Sequence, residues 1–148
     1  MMPPFVVFPT NRIAHFVEVS LYFILSSTTS EYNDLIQVCE TNTFVGARDK
    51  LMLLLMYNTG VRVSELLEIK ISDIHGADSI NHASVIIHGK GRKQREVPLW
   101  KTTVKYINKY LKTYPAECTD YLFINKNGDE LTRSGVVYEH ALINLYLK

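Results

Sequence analysis

Four cations crowd one short polar stretch: Lys90, Arg92, Lys93 and Arg95, within Gly89-Lys90-Gly91-Arg92-Lys93-Gln94-Arg95. Glycines let a backbone come close to a ligand. A turn held between two strands is a stiff support that can push cations into a groove of nucleic acid, where phosphate contacts give affinity rather than sequence choice. A solubilising turn is the plainer reading of the same charges, and composition alone leaves both open. The stretch is not a P-loop: Gly91 stands where Ser or Thr would follow the lysine, and the upstream glycine is missing. Arg62 is the second candidate. It follows Thr59-Gly60 at the end of one apolar run and opens a shorter one. A guanidinium beside the free N–H groups of a helix start suits bidentate phosphate binding. The competing role is a salt bridge to Glu65 or Glu68.

Other chemistries find little support. The histidines His15, His75, His82, His88 and His140 match no zinc spacing, so they are expected at the surface or at the edge of the core, with no metal site. Cys39 and Cys118 are too few for a disulfide scaffold and suit a reducing, cytoplasmic setting. No Ser–His–Asp arrangement can be assembled. The apolar stretch Ile13–Leu25 is interrupted by Glu18 and is too short and too charged to span a bilayer. No targeting segment is therefore assigned.

The elements that must carry the cations come next. A chain of 148 residues, 47% apolar and 21% charged, builds one ordinary domain with a real core. Net charge is only +1, yet eight of the sixteen basic residues lie between Lys90 and Lys112, against Glu96 alone. A local patch of that size can hold a polyanion on a nearly neutral chain. Ser26-Ser27-Thr28-Thr29-Ser30 breaks the chain, leaving 1–29 as an unassigned lead-in and 30–148 as the domain. An amphipathic stretch covers Glu31–Glu40, and Thr41–Gly46 reads as a loop. Leu51–Tyr57 is apolar all round, which predicts a buried central helix closed by Gly60 as a left-handed cap. A short helix follows over Val63–Ile69, and Ser72-Asp73 turns the chain. Ser84–His88 and Arg95–Leu99 read as the strands of a hairpin, with Pro98 confining its strand to an edge or an end. A helix over Trp100–Lys112 turns Trp100, Val104, Ile107 and Leu111 to the core and repeats Lys101, Lys105 and Lys109 on another face. Tyr121–Ile124 is a further strand candidate, Asn127-Gly128 a turn, and Thr132 the cap of a last helix. The class is α+β, mainly helical, with a small antiparallel sheet.

Leu55-Met56-Tyr57-Asn58-Thr59-Gly60-Val61-Arg62-Val63-Ser64-Glu65-Leu66 resembles the Thr-Gly-x-Arg-x-Ser-Glu-Leu box of the tyrosine recombinase (phage integrase) family. His88-Gly89-Lys90-Gly91-Arg92-Lys93-Gln94-Arg95-Glu96-Val97-Pro98-Leu99 is similar to that family's lysine hairpin. Leu122-Phe123, Asn127-Gly128 and Leu131-Thr132 are similar to the stretch that follows, in the right order and at near-family spacing. The resemblance covers about 31–139, roughly the first half of a family catalytic domain. It implies double-stranded DNA as partner and cleavage by a tyrosine that forms a 3′-phosphotyrosyl bond, with no metal or nucleotide cofactor. It makes Arg62 the first catalytic arginine, on the non-bridging phosphate oxygens. It makes Lys90 the general acid toward the leaving 5′-oxygen. Glu65 becomes a supporting residue, and Arg92, Lys93 and Arg95 become DNA-backbone contacts.

The family pattern continues with a His-x-x-Arg box, a His or Trp, and the nucleophilic Tyr. No stretch here reads His-x-x-Arg, since His140 is followed by Ala141-Leu142-Ile143. Tyr138 and Tyr146 sit where the family has the helix before that box, so no nucleophile is assigned. The resemblance thus implies a DNA-binding fragment of a site-specific recombinase, incomplete for strand cleavage alone. The alternative is a non-enzymatic DNA-binding module that occupies recombination sites or joins an intact recombinase protomer. A third reading keeps the basic face merely solvated. A half domain is also expected to expose the core face of Leu51–Tyr57 as an apolar patch.

Overall fold

The hydroxyl of Thr43 accepts the Gly46 N–H at 3.0 Å and so starts the first helix, α1 (Phe44–Thr59), in the computed structural model. The structure describes residues 42–79, 81–115 and 119–133, together with Asn33 and Gln37. The lead-in 1–29, most of the Glu31–Glu40 stretch, both cysteines, Tyr138, Tyr146, His140 and the last helix beyond Arg133 lie outside the described residues. The expected loop over Thr41–Gly46 is therefore shorter than read, because the Thr43 cap recruits Gly46 into the first turn. Helix α1 ends as expected: Gly60 takes φ 64° and its N–H returns to the Met56 carbonyl at 2.9 Å.

After Gly60 come α2 (Val63–Leu67), a 3₁₀ turn (Ile71–Asp73) and β1 (Ile74–His75). Then follow β2 (Ser84–His88), a tight tip, β3 (Gln94–Pro98) and α3 (Lys101–Lys112). The sheet is antiparallel in the order β1-β2-β3, with Val85 opposite Val97 and His88 opposite Gln94. Strand β1 is a third strand that the sequence pattern did not show, since two residues are too few for alternation to register. Tyr121–Ile124 makes only single bridges, Lys70 with Tyr121 and Ile124 with Glu130. Leu122, Phe123 and Ile124 are all fully buried, so this run plugs the core rather than alternating across a sheet.

The core gathers α1, α2, the inner face of β2 and one side of α3 around Leu51, Leu55, Leu66, Val85, Ile87, Val104, Ile107 and Phe123. The expected exposed apolar face on α1 is absent: Leu51 through Met56 are each buried. Trp100 reverses another expectation, being 49% exposed and packed edge-on to Tyr57 at 5.7 Å. It precedes α3 as its N-cap, so its side chain misses the stripe that Thr103, Val104, Ile107 and Tyr110 turn inward. Asn58 fixes this corner by accepting the Trp100 N–H at 2.8 Å and the Thr103 hydroxyl at 3.0 Å, and by donating to the Pro98 carbonyl.

Candidate nucleic-acid interface

Arg62 is pushed outward by its neighbours. Val61 and Val63 are both buried, and the extended backbone between them sends the Arg62 side chain to the opposite, solvent side. Its own N–H is taken by a Glu65 carboxylate oxygen at 3.0 Å. Helix α2 has only five residues, so Arg62 offers a phosphate its guanidinium and little of the helix-end field the sequence suggested. Glu65 and Glu68 do not pair with the Arg62 side chain; among the described residues that guanidinium has no ion-pair partner.

Val85 and Ile87 bury one face of β2 and hold the hairpin on the core. Beyond the His88–Gln94 pair the tip closes with a Gly89 N–H bond to the Lys93 carbonyl at 2.7 Å. Two consecutive residues there, Gly91 at φ 76° and Arg92 at φ 60°, are left-handed. For Gly91 this is free, whereas a residue with a Cβ such as Arg92 is disfavoured by about 1 kcal/mol. Lys90, Arg92 and Lys93 are exposed, with no acidic partner among the described residues.

Glu65 joins the two places. Its carboxylate, with a side chain 11% exposed, receives both terminal nitrogens of Arg95 at 3.0 and 3.3 Å across thirty residues of sequence. Arg95 thus pairs with Glu65 while its side chain stays 44% exposed. The Arg95 hydrogen bond, then the Arg62 N–H, hold the Glu65 carboxyl below the ordinary carboxylate range, against the opposing effect of its partial burial. Gly89 lies close enough that a Cβ there would come within 3.5 Å of a Glu65 oxygen. One carboxylate therefore sets the Arg62 turn against the neck of the lysine hairpin.

Sequence reasoning missed a second tie. His88 puts Nε2 2.9 Å from Asp73 Oδ1, while the Gln94 amide nitrogen lies 3.1 Å from its Nδ1. A neutral ring satisfies both bonds by donating to Asp73 and accepting from Gln94. Asp73 also accepts the Lys70 N–H at 2.9 Å, so the tip end of the hairpin is pinned to the 3₁₀ turn. Asp73 precedes His88 by fifteen residues, and no local spacing signals the pair. No group of three or more metal-ligating side chains occurs among the described residues, and none of the described helices is long and apolar enough to cross a membrane.

Residues 26–142 match the family model described as "Phage integrase family". The chain belongs to the phage integrase family. Within it, the chain is 37% identical over 111 residues to a Tyrosine recombinase XerC of Staphylococcus carnosus, covering 73% of this chain and 36% of that protein. It is 36% identical over 107 residues to a Tyrosine recombinase XerD of Listeria monocytogenes, covering 68% of this chain and 35% of that one. The chain thus spans about a third of the length of these phage integrase relatives. Among solved structures, XerA recombinase superposes with a TM-score of 0.62 at 26% identity, over 74% of this chain and 38% of that one. XerH site-specific recombinase bound to palindromic difH substrate gives 0.55 at 26% identity, over 77% and 34%. The described fold is part of a tyrosine recombinase catalytic domain.

Proposed function

We propose that this chain is the DNA-binding portion of a site-specific tyrosine recombinase catalytic domain. Arg62 and the hairpin tip then grip the phosphate backbone of double-stranded DNA. The observation that carries the reading is the Glu65 junction, which sets an exposed arginine beside a neck that ends in three exposed cations. In this role Arg62 holds the non-bridging oxygens of one phosphate, where negative charge builds during strand cleavage. Lys90 stands at the first position of the tip to give a proton to the leaving 5′-oxygen. Arg92 and Lys93 contact flanking phosphates, and Arg95 positions the hairpin through Glu65. A DNA-processing role of this kind places the chain in the cytoplasm.

This portion supplies Arg62 and Lys90 of the family's catalytic set, which supports phosphate binding as its role. Active-site groups act as a unit, so a partial set loses most of the activity. Such a module can occupy a recombination site or join an intact recombinase protomer. The test is the salt dependence of duplex binding by the full chain and by Lys90→Ala/Arg92→Ala/Lys93→Ala. Three lost phosphate contacts lower the slope of log K against log salt by about 2.7. An unchanged slope would remove the hairpin from the interface. A covalent protein–DNA adduct formed by this chain alone on a nicked duplex would contradict the binding-only role.

A further inference from the structure

Half of the cation cluster is not in the hairpin. Lys101, Lys105, Lys109 and Lys112 all lie on α3, all are exposed, and the helix contains no Asp or Glu. At 3.6 residues per turn the four fall within an arc of about 80°, opposite the stripe of Thr103, Val104, Ile107 and Tyr110 that packs into the core. They run about 16 Å along the helix, with successive four-residue steps rising about 6 Å.

This arrangement works against the helix that carries it. Lys101–Lys105 and Lys105–Lys109 are like-charge pairs at the spacing where repulsion destabilises a helix. Lys101 also sits in the first turn, where the helix dipole disfavours a cation, whereas Lys109 and Lys112 sit in the last turn, where it favours one. No salt bridge relieves any of the four among the described residues, even though Asp78 lines the same shallow groove as Lys112. Lys50 shows what an internally used lysine looks like here: its ammonium lies over the Tyr106 ring, 4.8 Å from the centroid.

From this we infer that the outer face of α3 is a second DNA-backbone contact, separate from the hairpin tip. Double-stranded DNA presents a charge every ~1.7 Å of axis, so a straight row of lysines can neutralise several phosphates without fixed geometry. Lysine is a compact point charge suited to that use. An acidic protein is the weaker fit, because protein interfaces are depleted in lysine and built on apolar anchors. The lysine row supplies none. The two contacts are distinct places: α3 begins beyond Pro98, at the end of β3 away from the tip, and the five residues of that strand span about 14 Å. The inference shares with the proposed function only that DNA is the ligand, and it does not need the hairpin to bind.

The test uses the full chain, a 30-base-pair duplex of arbitrary sequence and polyglutamate as a non-nucleic polyanion. The variants are Lys101→Gln/Lys105→Gln/Lys109→Gln/Lys112→Gln and, separately, the hairpin triple variant. Losing four phosphates lowers the salt slope by about 3.6, which is roughly 100-fold of affinity between about 50 and 200 mM salt. The double variant Lys105→Gln/Lys109→Gln loses about half of that slope and guards against misfolding of the quadruple variant. An unchanged slope in a folded α3 variant, with loss in the hairpin variant, overturns the inference and leaves the hairpin reading standing. The reverse pattern supports the inference and removes the hairpin. Loss of polyglutamate binding with DNA binding intact overturns it in favour of an acidic protein.

Discussion

The two ends of α1 carry arginines that do opposite things. Arg48, in the second turn, is fully buried. Its guanidinium gives two bonds to Asp49 at 3.0 and 2.8 Å and one to the Ile124 carbonyl at 3.0 Å. Arg62, just past the other end, is exposed between two buried valines and leaves its guanidinium free of ion pairs among the described residues. Water has been stripped from the first and replaced by fixed partners, so that charge is part of the fold. The second stays in contact with water. The same side chain is thus buried and paired with the adjacent Asp49 at one end, and exposed without an ion pair among the described residues at the other, where the nearby Glu65 carboxylate goes to Arg95 and the Arg62 N–H.

That contrast can be broken most forcefully at Arg48. Arg48→Met strands the Asp49 carboxylate in the core, and breaking a buried pair in this way costs about 3–5 kcal/mol. Urea unfolding reads the loss as a lower midpoint, whereas Arg62→Met is expected to change stability by less than about 0.5 kcal/mol.

Glu65 tests the middle ground, a largely buried carboxylate facing a 44%-exposed Arg95. Glu65→Gln is expected to cost about 1 kcal/mol near neutral pH, the upper end for an ion pair open to solvent. Because folding lowers the Glu65 pKa, its contribution is fully present above the unfolded carboxylate value. It is lost as the pH falls through the lower folded value. Unfolding midpoints measured down the acid range should therefore converge for the wild type and Glu65→Gln. Parallel curves would show that the pair does not stabilise the fold.

The smallest effect is at the tip. Arg92→Asn places a residue more tolerant of the left-handed region at φ 60° and is expected to stabilise by about 0.5 kcal/mol. It also removes about one unit of the DNA salt slope. Stability gained together with affinity lost would identify strain kept in place for binding.

Much of this was legible in the chain. Ser84–His88 announced its strand through a β-branched run, and the observed bounds agree with it. Gly60 announced its cap, and the cations of the tip stood out by density alone. Arg48-Asp49 did not, because a buried pair between adjacent residues has no periodic signature and looks like any charged surface turn. Glu65–Arg95 and Asp73–His88 were hidden for a different reason: each joins segments brought together only by the folded hairpin. Trp100 was misplaced because helical spacing was extended one residue beyond the helix, where the N-cap backbone is extended.

The most direct test follows backbone amides by NMR while a short duplex is titrated into the full chain. The account predicts shifts at Arg62, Val63 and Gly89 through Lys93, with Ala47, Arg48 and Asp49 unmoved. Shifts centred on the Arg48 end of α1, or none at the hairpin tip, would contradict it.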